Sequence, residues 1–248
     1  MNFIGIIPAR YASTRFPGKP LVEISGKIMI QRVCDQVSKI LDTVYVATDD
    51  KRIFDAVKSF GGKVVMTSTE HKSGTDRVNE AYSKIVELEG KSFDVIINVQ
   101  GDEPFIQAEQ IESLMSCFTS LSVDIATLVK KIDDKDELFD INKVKVVRAI
   151  NGKALYFSRH TIPFLRDTEK SLWLEKQTFF KHIGMYAYRS NVLQQIANMP
   201  MGMLEKSESL EQLRWLENGL NIQTAITDIE SIGIDTPEDL ERVKNLKF

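Results

Sequence analysis

Arg10, Arg15 and Lys19 fall in one stretch, Ile4-Gly5-Ile6-Ile7-Pro8-Ala9-Arg10-Tyr11-Ala12-Ser13-Thr14-Arg15-Phe16-Pro17-Gly18-Lys19-Pro20-Leu21. Guanidinium forks grip phosphate oxygens in pairs, and an ammonium acts as a compact point charge. Together they suit an anion carrying several negative charges, and a polyphosphate is the natural candidate. The glycines and prolines between them fix the backbone and let it approach a ligand. The plain alternative is a solvated basic loop.

Two carboxylates complete the set. Asp102 lies in Asn98-Val99-Gln100-Gly101-Asp102-Glu103-Pro104, where Gly101 permits a sharp turn. A carboxylate beside bound phosphates suits magnesium, which takes one or two carboxylates together with substrate phosphates and water. The same residues are also good turn chemistry. Asp235 follows Ile232-Gly233-Ile234 and is the second candidate carboxylate, or else a residue that merely precedes a helix cap. The sequence contains no GxxxxGK[ST] loop, no GxGxxG after the first strand, no HExxH and no GxSxG. Support is thereby withdrawn from a Walker-type NTPase, a Rossmann dehydrogenase, a zincin and a serine hydrolase.

The elements that must position these groups alternate. The apolar run before Pro8 reads as a buried strand, and the charged stretch after it cannot continue a strand or start a helix before Pro20. Lys27 to Leu41 carries Ile28, Ile30, Val33, Val37 and Ile40 at helical spacing, and Thr43 to Thr48 reads as a strand. Asp49 or Asp50 caps a helix through Phe60, and Lys63 to Thr67 is a third strand. A helix from about Thr75 to Leu88 leads to Phe93 to Val99, the most apolar strand after the first and therefore a central one. This order argues for a parallel sheet with helices on both faces. Loops leaving the carboxyl ends of such strands open into the crevice where ligands bind.

The pattern changes after a helix from Gln107 to Phe118. Strands are expected at 125–129, 144–150 and 154–157, the last two joined by a hairpin at Asn151-Gly152. A strand from Phe180 to Arg189, helices at 190–197 and 206–217, and a strand at 222–227 follow. Thr236-Pro237-Glu238-Asp239 starts the final helix with a Thr cap, Pro in the first position and an acid in the third. The fold class is thus α/β: a Rossmann-like, mostly parallel sheet with helices on both faces and a smaller mixed-strand insertion.

With 27% charged and 43% hydrophobic residues and a net charge of -3, the chain has no general attraction for nucleic acid or anionic membrane. No apolar run reaches the roughly 20 residues of a membrane helix, and Met1 stands almost directly on the first strand, so a cytoplasmic protein is expected. Cys34 and Cys117 sit in helical patterns without metal spacing and read as inert thiols.

In their order, these blocks resemble the sugar nucleotidyltransferases, and among them the 3-deoxy-manno-octulosonate (KDO) cytidylyltransferases, or CMP-KDO synthetases. The likeness is carried by the first loop, by His71-Lys72-Ser73-Gly74-Thr75-Asp76-Arg77 and by the Asn98 to Pro104 block. It continues through Tyr156-Phe157-Ser158-Arg159 with Ile162-Pro163, Lys181-His182-Ile183-Gly184 with Tyr186, Glu208 to Arg214 containing Leu210-Glu211-Gln212-Leu213-Arg214, and Asp235 to Leu240. It spans essentially the whole chain. It implies the nucleotide-diphospho-sugar transferase fold, one nucleotidyltransferase domain over 1–248 with an insertion lobe near 124–190, and a homodimer formed through strands between Val144 and Tyr188.

The resemblance also implies roles. Pro8, Ala9, Arg10, Arg15 and Lys19 would hold the CTP triphosphate, and Ser73, Gly74 and Arg77 would help seat the cytidine. Asp102 and Asp235 would hold Mg2+, with a second, phosphate-bound ion left open. Arg10, Lys19, Asp102 and Asp235 form the implied catalytic set. Gln100, Arg159, His182, Tyr186, Glu211 and Gln212 would line the sugar pocket, with Arg159 suited to the sugar carboxylate. Each of these six also has an ordinary reading as a solvated or packed side chain. The implied reaction makes CMP-KDO and pyrophosphate from CTP and KDO for lipopolysaccharide synthesis, with no general base singled out and His182 left open. The alternatives are a cytidylyltransferase for 8-amino-KDO or a sialic acid, and a nucleotide sensor without turnover. Two departures from the family pattern are Ile28 in place of a usual Pro and Phe16 in place of a common Leu.

Overall fold

The computed structural model describes all residues except Thr14, Lys72, Ser231 and 244–248. Thr14 and Lys72, each part of a motif quoted above, thus lie outside the described residues.

In chain order the elements are β1 (Phe3–Ala9), the hairpin β2 (Glu23–Ile24) and β3 (Lys27–Ile28), α1 (Met29–Val37), β4 (Val44–Thr48), α2 (Lys51–Ser59) and β5 (Lys63–Met66). α3 (Gly74–Glu89), β6 (Val95–Asn98) and α4 (Ala108–Ser116) follow, then β7 (Ile125–Lys131), α5 (Lys135–Phe139), β8 (Lys145–Arg148) and β9 (Ala154–Ser158). The chain continues with α6 (Trp173–Lys176), β10 (Phe180–Arg189), α7 (Ser190–Ala197), α8 (Met203–Glu208), α9 (Glu211–Glu217), β11 (Ile222–Ile226) and α10 (Pro237–Val243). The described helices include none long and apolar enough to cross a membrane.

Two compact units divide the chain. The first comprises Met1–Glu112, Tyr188–Ala197 and the described residues after Glu230; the second comprises Ser113–Ala187 and Asn198–Glu230. In the first, β1 pairs in parallel with both β4 and β6, and β5 pairs in parallel with β4. Ile4, Ile6 and Ile7 of β1 and every residue of β6 are buried, as expected of parallel strands covered on both faces. α2 begins where Asp50 accepts a hydrogen bond from Arg52 N, and α3 begins where Ser73 accepts one from Asp76 N. These side chains satisfy N–H groups that a helix start leaves without partners.

The second unit is mixed. β7 and β11 are parallel, while β8 pairs antiparallel with both β9 and β10. This agrees with the mixed strands expected of the insertion.

One local expectation needs correction. The helix expected over 206–217 is two helices, because Ser209 takes a left-handed conformation (φ 52) between α8 and α9. The β8–β9 hairpin turns at Asn151-Gly152 as expected: Gly152 N donates to Ala149 O at 2.9 Å, Ala149 N donates to Lys153 O at 2.8 Å, and Gly152 takes φ 85. It runs through 149–153 with a register shift at Val147/Arg148, and its tip is tied to β11 by Thr224 N donating to Gly152 O. The β2–β3 hairpin, α5 and α6 are too short for periodicity to reveal. Both cysteines are free, and burial pushes the Cys34 thiol up to about 12 and the Cys117 thiol up to about 11, in keeping with inert thiols.

Candidate active site

The first loop is shaped by its own backbone. Ser13 N and Gly18 N both donate to Tyr11 O, Lys19 N donates to Phe16 O, and Leu21 N donates to Gly18 O to open a single 3-10 turn. Gly18 has φ +75, and a Cβ there would lie 3.1 Å from the Tyr11 ring, so the turn requires glycine. The Arg52 guanidinium covers the Tyr11 ring at 3.2 Å and is itself held by Asp50. The loop is thereby fixed to the end of β4.

Lys19 emerges from this turn with its aliphatic stem buried. Its Nζ donates to Asp102 Oδ2 at 2.6 Å and to Asp235 Oδ1 at 3.0 Å, and Arg15 Nη2 lies 3.0 Å from Asp235 Oδ2. Two carboxylates more than 130 residues apart in sequence thus converge on one ammonium. Arg10 is exposed beside them and makes no ion pair among the described residues.

Each carboxylate has a structural cause for its place. Gly101 lets the turn after β6 press against β1, since a Cβ there would lie 2.8 Å from Pro8 O. The turn then brings Asp102 to the mouth of the first loop. Ile234 N donates to Asp102 O at 2.9 Å, which lays the 232–235 segment along the turn. Ile234 is buried with Ile24, Met29, Phe105 and Val243, and Phe16, Ile232 and Leu240 pack around this cluster. α10 starts with a reciprocal cap in which Asp239 N donates to Thr236 Oγ1 and Thr236 N donates to Asp239 Oδ2. The Asp235 N–H also donates to Asp239, and this bond, with those from Thr236, holds the Asp239 carboxyl below its usual range.

These groups line a polar cavity of about 340 Å3 together with Pro8, Ala9, Gln100 and Arg77. Arg77 is 1% exposed, and its guanidinium donates to Thr67 Oγ1, Ser68 O and Asp49 Oδ2. It therefore ties the ends of β4 and β5 together under the cavity. Ser73 and Gly74 stand at the start of α3, where a Cβ on Gly74 would come within 4.0 Å of the Pro8 ring.

Among the described residues no group of three or more His, Cys, Asp or Glu side chains is arranged to hold a metal. Asp102 and Asp235 do converge on a single cation, and a pair of carboxylates open to a polyphosphate fits magnesium better than an all-protein cage. The donor set is compatible with that ion.

The second unit carries most of the other candidates. His182 on β10 stands edge-on to Phe157 at 5.3 Å and 5.2 Å from the Tyr186 ring, which in turn meets Trp215 edge-on at 5.1 Å. Burial pushes the His182 pKa down to about 4. Thr127 Oγ1 lies 2.9 Å from His182 Nε2 and donates to Met185 O at 2.8 Å. The hydroxyl, which also lies 3.3 Å from Ile183 O, thus links the imidazole to the backbone of β10. Gln212 is buried on α9, and Glu211 Oε1 accepts from Arg214 Nη2 at 2.8 Å.

Arg159 is held firmly. Its Nε donates to Glu208 O and Nη2 donates to Ser209 O, while Glu208 accepts from Ser158 Oγ and Arg159 N through its two carboxylate oxygens. Thr127 and the Tyr11–Arg52 pair were not among the residues singled out from sequence; Glu208 entered only as the start of a family block, and Asp49 only as an alternative to Asp50, the observed cap of α2. Thr127 sits in an otherwise apolar strand, which was a usable signal. The contact of Glu208 with Ser158 and Arg159 gave none, because it depends on the helix break at Ser209.

Known proteins resemble the chain over nearly its whole length. A family model described as cytidylyltransferase matches residues 4–229. The 3-deoxy-manno-octulosonate cytidylyltransferases of Cytophaga hutchinsonii and Phocaeicola vulgatus are 59% and 58% identical to the chain, each over 98% of it and 96% of the relative. A solved structure of CMP:2-keto-3-deoxy-manno-octonic acid synthetase complexed with CTP superposes with a TM-score of 0.89 at 42% identity, covering 99% of this chain and 98% of that one. The chain belongs to the 3-deoxy-manno-octulosonate cytidylyltransferase family. The α/β nucleotidyltransferase fold expected from sequence is therefore the observed one.

Membership also makes the two departures interpretable. Ile28 caps α1 with φ -68, close to the angle that proline imposes, so the helix start is kept without the ring. Phe16 packs its ring on the cluster that seats Asp235. Neither change reaches the charged atoms.

Proposed function

We propose that this protein transfers CMP from CTP to the anomeric 2-hydroxyl of KDO, giving CMP-KDO and pyrophosphate for lipopolysaccharide synthesis. The hydroxyl oxygen bonds to the α-phosphorus, the bond from that phosphorus to the oxygen bridging the β-phosphate breaks, and the hydroxyl proton is lost. The observation that carries this reading is the meeting of Arg15 and Lys19 with Asp102 and Asp235 in one cavity, within a chain of this family.

Arg10, Arg15 and Lys19 neutralise the triphosphate and the departing pyrophosphate, a role suited to phosphoryl chemistry dominated by positioning and charge. Asp102 and Asp235 are the residues that would hold magnesium. When bound, the ion supplies charge neutralisation at the phosphates and acidifies a nearby hydroxyl. Pro8, Ala9, Ser73 and Gly74 give the nucleotide a close backbone approach, and Arg77 supports them from below.

Arg159, His182, Tyr186, Glu211 and Gln212 of the second unit, and Gln100 of the first, are each assigned to sugar recognition. Arg159 is oriented by Glu208 and retains N–H groups suited to a carboxylate. A His182 pKa of about 4 supports a neutral, orienting imidazole rather than a general base. Exposed Ile150, Leu155 and Phe164 support a homodimer through the stretch between Val144 and Tyr188. The cytoplasm is the compartment where CTP is available.

A coupled pyrophosphate assay with CTP, magnesium and KDO, run beside 8-amino-KDO and a sialic acid, tests the reading. Fastest release with KDO is expected. Preference for another acid would reassign the substrate, and no release with any would favour the nucleotide sensor.

A further inference from the structure

We infer that Lys19 is an internal stand-in for the metal, so that nucleotide binding must draw its ammonium away before Asp102 and Asp235 can take a divalent cation. The inference rests on the reading of those two carboxylates as the metal pair. It adds a coupling: metal alone binds weakly, and nucleotide raises the affinity.

The geometry supports this directly. Lys19 Nζ sits between Asp102 Oδ2 and Asp235 Oδ1 at 2.6 and 3.0 Å, and Arg15 adds a second positive charge at Asp235. The Lys19 side chain is only 10% exposed, whereas those of Asp102 and Asp235 are 33% and 45% exposed. The ammonium is thus the inner member of the cluster and the carboxylates face the cavity. Its backbone is fixed by the Phe16 and Gly18 turn, so the head group must change partners by rotation of the side chain.

Charge balance gives the direction. With Lys19 and Arg15 on the carboxylates the cluster carries two positive and two negative charges, leaving little attraction for a further dication. A triphosphate brings its own negative charge and offers both cations better partners. Once they turn to it, the carboxylates face the metal without a competing ammonium. A cation within a few ångströms of a carboxylate changes its proton affinity by about one to three decades, and its effect on a dication should be of at least the lower size.

The test measures Mn2+ binding to the full chain by the electron paramagnetic resonance of free Mn2+, with and without CTP. Lys19→Met keeps the buried stem and removes the charge; Lys19→Gln serves as a second neutral variant, and Lys19→Arg keeps the charge. Without nucleotide, both neutral variants should bind Mn2+ about tenfold tighter than the unsubstituted protein, while Lys19→Arg should not. Their melting temperatures should rise with added Mn2+ where that of the unsubstituted protein hardly moves. Unchanged or weaker nucleotide-free binding in folded neutral variants overturns the stand-in role. Asp102→Asn and Asp235→Asn, measured with CTP, test the underlying reading separately: retained Mn2+ affinity in both would overturn the metal pair itself.

Discussion

In the proposed function the two units take on different recognition problems and meet them with different materials. In the first, charged side chains stand on turns at the ends of strands, partly exposed and paired with one another: Lys19, Arg15, Asp102 and Asp235. In the second, the candidate groups stand on β10, α9 and the end of β9, packed among Phe157, Tyr186 and Trp215, with a neutral His182 and a buried Gln212. An ionic ligand with several charges calls for the first arrangement, because cations paired at the rim of a polar cavity can change partners when it arrives. A sugar acid calls for the second, because its one carboxylate is met by a single oriented arginine and discrimination among its hydroxyls depends on donors and acceptors whose directions are fixed by packing.

The largest way to break this comparison is Asp102→Asn. If the first site works through charge, removing one negative charge without changing shape should reduce turnover by about a thousandfold. Melting should be little changed, since Lys19 keeps Asp235 as a partner. Steady-state kinetics with CTP and KDO provides the measurement. Near-normal turnover would mean that this carboxylate only shapes the turn.

The contrast also governs what could be read from the sequence. Lone charges between glycines and prolines have few structural uses, so Arg10, Arg15, Lys19 and Asp102 were legible from type and spacing. The alternation of strands with helices was legible because the apolar runs that fill the core are periodic. That the carboxylates meet on Lys19 was not legible, because it depends on the hydrogen bond from Ile234 N to Asp102 O and on a cluster assembled from residues 16 to 243. In the second unit, period two along β10 describes a packed face and a binding face equally well. His182 and Tyr186 could be singled out only through family resemblance. The break at Ser209, a non-glycine residue in a left-handed conformation, gave no local signal, and with it went the role of Glu208.

Arg77 sharpens the comparison from below. It is as buried as any core residue yet lines the charged cavity, holding Asp49, Thr67 and Ser68. Arg77→Met removes the cation and leaves the Asp49 carboxylate facing an apolar stem. Loss of one partner of a buried pair should cost about 3 kcal/mol, read as a lower denaturant midpoint. Adding Asp49→Asn should recover part of that loss, because the uncompensated charge is then gone. A contribution to nucleotide affinity beyond this support would appear as a raised KM for CTP in the folded double variant.

The smallest effect belongs to the second unit and is read through pH. The His182 pKa is pushed by burial from an ordinary value near 6.5 to about 4. Between these values the imidazole is neutral in the folded protein and protonated in the unfolded chain. The unfolded state therefore binds the extra proton, and stability falls as pH falls through that window. The contribution is fully present above about pH 6.5 and levels off below about pH 4, with a total loss of about 2 kcal/mol once partial exposure is allowed for. His182→Gln keeps a polar side chain that can bond Thr127 and does not titrate, so the slope of stability against pH in this window should flatten by one proton. If the slope is unchanged, the imidazole is solvated and the packed character assigned to this cluster fails. If it flattens while the KM for the sugar rises and that for CTP does not, the neutral ring belongs to sugar recognition and stands apart from the charge chemistry of the first unit.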